Sequence, residues 1–192
     1  GNSENAECGV PAYSGNGTGS AVGNNNPPYA EQTRIHGGRQ SMPLGYDGAS
    51  EATRTFSPAQ DWTAAGLQVL SLFFYGASEN ATGLSMWVQV ADQAGKTAKV
   101  MYGSNAGEDP AALAEAAWTE WAVPLSGFGG VDLTRIASIT IGFGPGTGSG
   151  QLFIDDIRLY PSRDLTPPAP PVLVGHWKLD GTAQDSSGNG NN

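Results

Sequence analysis

Apolar side chains recur at every second position in several short runs of this chain, and each run stops at Gly, Asn, Asp or Pro. Met86, Val88 and Val90 alternate with Trp87, Gln89 and Ala91 until Asp92-Gln93-Ala94-Gly95 turns the chain into Thr97–Tyr102. Ile139, Ile141 and Phe143 alternate with Ser138, Thr140 and Gly142, and Trp121, Val123 and Leu125 form another such set. A period of two puts successive side chains on opposite faces of a strand, whereas a helix needs apolar positions three and four apart. Leu67–Tyr75 is apolar almost throughout and reads as a strand buried on both faces, and Leu152–Tyr160 reads as the last strand. The 28 glycines and 13 prolines, about a fifth of 192 residues, leave little room for a helical bundle. Short strands at close intervals predict an antiparallel sandwich, an arrangement that limits exposed strand edges. The single helical expectation is Asp109–Ala117, with Asp as N-cap, Pro at the first position and alanines behind it.

Texture divides the chain. Residues 1–33 are rich in Asn and Gly and read as a loop region of the first module, which occupies 34–162. Residues 163–173, with Pro167-Pro168-Ala169-Pro170-Pro171, predict a stiff linker to covalently joined neighbouring domains. Residues 174–192 are too few for a domain and read as the truncated start of a second one.

The net charge of −9, with Lys and Arg scattered singly, opposes phosphate neutralisation and argues against nucleic acid and anionic membranes as partners. No apolar run is long enough to span a bilayer. Cys8 has no second cysteine to pair with. Gly1 is not an initiating residue, which leaves room for a removed leader, and the composition is that of a secreted protein. No Gly-x-Ser-x-Gly elbow, His-Glu-x-x-His helix or phosphate loop is found; His36, beside two glycines, reads as a loop residue. For glycan cleavage two facing carboxylates are needed, and Glu120 with Asp92 or Glu51 are the pairs left open. The sequons at Asn16 and Asn80 predict surface loops.

The set Ile35-His36-Gly37-Gly38-Arg39-Gln40-Ser41-Met42-Pro43-Leu44, Gln60-Asp61-Trp62-Thr63, Val123-Pro124-Leu125-Ser126-Gly127-Phe128, Ile141-Gly142-Phe143-Gly144 and Ile154-Asp155-Asp156-Ile157-Arg158-Leu159-Tyr160 resembles the non-catalytic, galactose-binding-like carbohydrate-binding modules of large secreted bacterial proteins. His176-Trp177-Lys178-Leu179-Asp180 and Asp185-Ser186-Ser187-Gly188-Asn189 are similar to the opening of a laminin-G or concanavalin A-like domain. The resemblance implies an all-β antiparallel jelly-roll β-sandwich, extracellular, that holds a polysaccharide or cell-surface glycan. A structural spacer or adhesion domain and a sandwich-fold glycan-cleaving enzyme are the alternatives.

The resemblance also implies a structural calcium ion held by Asp155, with Asp156 and carbonyls of the loop around Gly38. The other reading of these acids is a solvated strand end or pairing with Arg158 or Arg54. Sugar recognition needs aromatic faces flanked by hydrogen-bonding groups. Strand parity puts Trp87 and Gln89 opposite Met86, Val88 and Val90, puts Phe73 and Tyr75 opposite Leu70, Leu72 and Phe74, and sets Trp118 against Trp121. The expectation is one sheet face lined by Trp87, Tyr75, Phe73 and Trp118 with Gln89 and Lys99 as polar groups, and Tyr46, Asp47 and Trp62 as a second rim. A second buried apolar layer is the alternative for the same aromatics.

Overall fold

The computed structural model describes residues 19–163 except Thr82; the expected linker beyond Arg163, the expected start of a second domain over 174–192, Cys8 and Asn16 lie outside them. Among the described residues there are nine strands: β1 Ala21–Val22, β2 Met42–Asp47, β3 Ser50–Gln60, β4 Val69–Tyr75, β5 Met86–Asp92, β6 Thr97–Met101, β7 Trp118–Pro124, β8 Ile136–Phe143 and β9 Ser149–Tyr160. They form two antiparallel sheets, five-stranded in the order β1-β2-β9-β4-β7 and four-stranded in the order β3-β8-β5-β6. The fold is the expected all-β sandwich of jelly-roll type. Strands adjacent in sequence, such as β2 and β3 or β4 and β5, cross between the sheets.

The alternation seen in the sequence is what closes the core. Leu44, Leu70, Leu72, Phe74, Trp121, Val123, Leu152 and Ile154 point inward from the five-stranded sheet, and Met86, Val88, Val90, Ile139, Ile141 and Phe143 from the other. Each such side chain contributes roughly 1.5–3 kcal/mol by leaving water. Tyr46 of β2 stacks on Phe143 of β8 with ring centroids 4.1 Å apart, joining the two layers.

Three expectations change in detail. The helix over Asp109–Ala117 is a 3-10 helix at Pro110–Ala114, capped as expected by Asp109, whose carboxylate accepts from the Ala111 N–H at 2.9 Å. Part of the 1–33 loop region joins the sheet, since Ala21 and Val22 pair with Gly45 and Leu44. Asn80, expected on the surface, is buried: its amide donates to the carbonyls of Leu113 and Gln151 and its oxygen accepts from the Gln151 N–H, each at 2.9 Å. A glycan on Nδ2 would replace one of its two donated hydrogens and would have to be accommodated at a buried position.

Candidate functional site

The register divides the predicted aromatics over two faces. Phe73 pairs with Glu120 and Asp155, and Tyr75 with Trp118 and Phe153, so Phe73, Tyr75 and Trp118 share the outer face of the five-stranded sheet, as parity implied. Trp87 and Gln89 lie on the outer face of the four-stranded sheet. The expectation of a single face holding all five is therefore corrected: parity within each strand is right, but β4 and β5 belong to different sheets. Tyr46 and Trp62 are not a rim either. Both are buried, Tyr46 against Phe143 and Trp62 edge-on to Phe56 at 6.3 Å with its indole N–H 3.4 Å from Gln60 Oε1.

On the five-stranded sheet the loop preceding β2 lies over the aromatic face. The His36 imidazole stacks on Phe73 at 3.6 Å between centroids and 16° between planes, and meets Trp118 edge-on at 5.6 Å. The loop is fastened by the acid pair of β9. Asp155 Oδ2 accepts from the N–H groups of His36 at 2.9 Å and Gly37 at 3.1 Å, and Asp155 Oδ1 accepts from the Asp156 N–H at 2.8 Å. Asp156 places Oδ2 2.8 Å from His36 Nδ1 and Oδ1 2.6 Å from an Arg158 guanidinium nitrogen. The bond with His36 is the main cause holding the Asp156 carboxyl below the ordinary carboxylate range, with Arg158 adding to it.

Two neighbouring strand residues should face opposite ways, yet both carboxylates reach the same loop. The pairing explains it: Ser71 opposes Arg158 and Phe73 opposes Asp155, so β9 carries an extra residue there. Asp156, at φ 48°, is the bulged residue, in the left-handed region that Asp tolerates better than most. Gly37 rather than Gly38 packs against the acids, since a Cβ at 37 would come 2.4 Å from Asp156 Oδ2, whereas one at Gly38 meets open space.

This arrangement does not fit the expected calcium ion. Calcium takes six to eight oxygens, carboxylates and carbonyls. Here the loop turns N–H groups, not carbonyls, towards Asp155, and Asp156 is engaged by His36 and Arg158. Among the described residues no group of three or more His, Cys, Asp or Glu is gathered at metal-binding spacing. For Asp156 the geometry follows the sequence alternative of pairing with Arg158, while Asp155 is taken up by main-chain N–H groups.

The four-stranded face is built by its own cross-strand rungs. One runs Glu51, Gly142, Trp87, Met101 and the next Thr53, Thr140, Gln89, Lys99, directly opposite one another from β3 through β8 and β5 to β6. The indole of Trp87 lies over Gly142, where a Cβ would come within 2.2 Å of the ring. The Lys99 ammonium also covers the ring, 3.5 Å from its centroid, and Trp87 is buried, as the alternative of a second apolar layer implied for it. Thr53 and Thr140 hydroxyls are 2.9 Å apart. Thr53, Thr140 and Gly142 are not singled out by the sequence as site residues, and Glu51 only as a catalytic carboxylate; the alternation in Ile139–Phe143 is readable, but which strand stands beside which is not written locally.

The carboxylate pairs considered for catalysis do not face one another. Glu120 lies on the five-stranded sheet, bound by Ser71 Oγ at 2.6 Å and by Arg163, while Glu51 and Asp92 belong to the four-stranded sheet. Asp92 is buried and accepts from the N–H groups of Ala94, Lys96 and Asp132, the last being the main cause that lowers its pKa.

No family model matches the chain, and no curated protein matches it. Solved structures do. A family 11 carbohydrate-binding module from Clostridium thermocellum, in complex with a β-1,3-1,4-mixed-linked tetrasaccharide, superposes with a TM-score of 0.50 at 17% identity over 77% of this chain and 86% of that one. A family 30 carbohydrate-binding module of a cellulosomal cellulase of the same organism gives 0.51 at 13% identity over 80% of this chain and 91% of that one. An exo-β-agarase gives 0.55 at 12% identity over 80% of this chain but only 22% of the agarase. At these identities the likeness is one of fold.

Proposed function

We propose that this chain is a non-catalytic carbohydrate-binding module, acting outside the cell as part of a larger protein, and that it holds polysaccharide on the outer face of its four-stranded sheet. The observation that carries the reading is the register itself, which lines up an indole, a carboxamide, an ammonium group and hydroxyls on neighbouring strands. Strands about 4.8 Å apart give a saccharide chain laid across them a new side chain at every strand. Trp87, 5% exposed beneath Lys99, supplies an aromatic surface for the apolar face of a pyranose once that lysine moves aside, and Gln89 and Lys99 supply donors and acceptors for its hydroxyls, while buried Thr140 is bonded to Thr53. Lys99 must swing off the indole for a sugar to stack there, which a flexible surface lysine does at little cost. The fold likeness to carbohydrate-binding modules supports the same reading.

Affinity electrophoresis through a panel of plant, algal and bacterial polysaccharides tests it, with reducing ends measured on every retained pair. Retention without release of reducing ends is expected. Trp87→Ala should weaken it about tenfold, an aromatic contact's worth of roughly 1.4 kcal/mol, and Gln89→Ala, which leaves the packing on Gly142 intact, should weaken it less. Retention by nothing would favour a structural spacer, and release of reducing ends an enzyme.

A further inference from the structure

A cavity of about 190 Å³ opens on the opposite sheet, at the end where β4 leaves it. Its lining includes Tyr75, Phe153, Arg34, Ser78, Glu79 and Gln151. It is smaller than the roughly 300 Å³ at which pockets for drug-sized ligands begin, which suits one ring rather than an oligomer. Tyr75 meets Trp118 edge-on at 5.5 Å and Phe153 edge-on at 6.2 Å, so its ring is held in place by its neighbours while remaining partly exposed. Phe153 beneath and Glu31 beside it hold the Arg34 guanidinium at the rim, 5.0 Å above the Phe153 ring and 3.9 Å from Glu31 Oε2.

The facing wall, residues 76–80, is rigidly placed. Buried Asn80 ties it to β9 and to Leu113 through the three bonds described above, and a Cβ on Gly76 would come 2.4 Å from the Leu113 carbonyl. From this wall Glu79 supplies a carboxylate, and from β9 Gln151 supplies an amide, both exposed. An aromatic wall with a guanidinium, a carboxylate and an amide around it, on an otherwise prefixed frame, is a site for a polyhydroxylated ring. Neighbouring hydroxyls can accept from Arg34 and donate to Glu79. A sugar acid would instead meet Glu79 and the negative charge of the whole chain.

We propose that this pocket is a second saccharide site, taking one neutral pyranose unit at the end of a chain. It rests on the carbohydrate-binding reading, and places the two contacts on opposite sheets, so that one module bridges two glycan strands. The test is an amide-shift titration of the described module within the full chain, using the methyl β-glycosides of glucose, galactose, mannose and xylose as separate probes. The amides of Gly76, Glu79, Asn80 and Gln151 should shift with at least one of them. Glu79→Ala and Arg34→Ala, both at exposed positions, should each weaken that response by about tenfold, one charged hydrogen bond's worth, with the rest of the spectrum unchanged.

Failure separates from failure of the first reading. Polysaccharide retention dependent on Trp87, with those four amides unmoved by every glycoside, overturns the pocket and leaves the first reading standing. Shifts at the pocket that neither variant reduces overturn the assignment of Arg34 and Glu79. Shifts there without retention of any polysaccharide keep the pocket and overturn the four-stranded face, and the absence of both responses overturns both.

Discussion

The two outer faces of this sandwich are finished in different ways. The face of the five-stranded sheet is closed by residues brought from far along the sequence, with His36 laid on Phe73 and Arg34 on Phe153, over separations of 37 and 119 positions. That of the four-stranded sheet is closed from within, by Lys99 on Trp87 and Thr53 against Thr140, neighbours in register. Each sheet also has an aspartate caught by three main-chain N–H groups, Asp155 on β9 and Asp92 at the end of β5. The first pins a loop onto a face; the second ties a hairpin turn to the segment before β8. What differs is mobility: a cover made of one lysine side chain can move aside, while a cover made of a pinned loop needs three hydrogen bonds broken first.

That contrast is most severely tested at Asp155. Asp155→Ala leaves three N–H groups without their acceptor and should cost about 1–3 kcal/mol, with amide exchange rising at His36 and Gly37 and the environment of Trp87 unmoved. Exchange at those two amides matching the parent protein would show that the acid does not fasten the loop. On the other sheet the corresponding lesion is Gly142→Ala. Its methyl would enter the space of the indole, at 2.2 Å, an overpacking worth about 1–2 kcal/mol, and it should lift Trp87 and abolish the polysaccharide retention proposed for that face. A variant with unchanged tryptophan fluorescence and unchanged melting would mean that the ring does not rest on that glycine.

Which residues belong to one face was readable in the sequence strand by strand, and only so. Met86, Val88 and Val90 all turn inward and Trp87 and Gln89 outward, and Phe73 and Tyr75 fall opposite Leu70, Leu72 and Phe74. Alternation is a local property of a pleated strand, so sequence carries it. The sheet that each strand joins depends on pairings between distant segments, and grouping Trp87 with Phe73 failed there. The acid pair failed for a second reason. Two-residue alternation presumes an unbroken ladder, and the extra residue at Asp156 breaks it, turning a pair expected on opposite faces towards one loop. Tyr46 and Trp62 looked like loop-borne candidates, but Tyr46 lies within β2, where its neighbours Gly45 and Asp47 take the outward positions.

A smaller effect separates the two aspartates by pH. The Asp92 carboxyl is held below its ordinary value, chiefly by the Asp132 N–H. A folded-state pKa lower than the unfolded one stabilises above the unfolded value, near pH 4, and that contribution fades as the pH falls through the folded value. Melting temperature should therefore decline on acidification below about pH 4, and Asp92→Asn should flatten the decline while lowering stability at neutral pH. An equally steep decline in the variant would assign the acid sensitivity elsewhere, with Asp156, lowered by His36 and Arg158, next in line.

The smallest predicted change is the most informative about how the four-stranded face works. Lys99→Met removes the ammonium from the indole but keeps a chain of similar reach, so the loss should be limited to the cation–π term, about 0.5–1 kcal/mol at an exposed site. If the lysine is a movable cover, two things follow together. Trp87 emission should respond to the substitution in the free protein, and polysaccharide affinity should hold or rise, because a sugar no longer has to displace a cation from the ring. If Lys99 instead mainly hydrogen-bonds the bound glycan, affinity falls while emission in the free protein changes just the same. The free-protein signal thus reports the contact seen in the structure, and the sign of the affinity change decides whether that contact opposes binding or takes part in it.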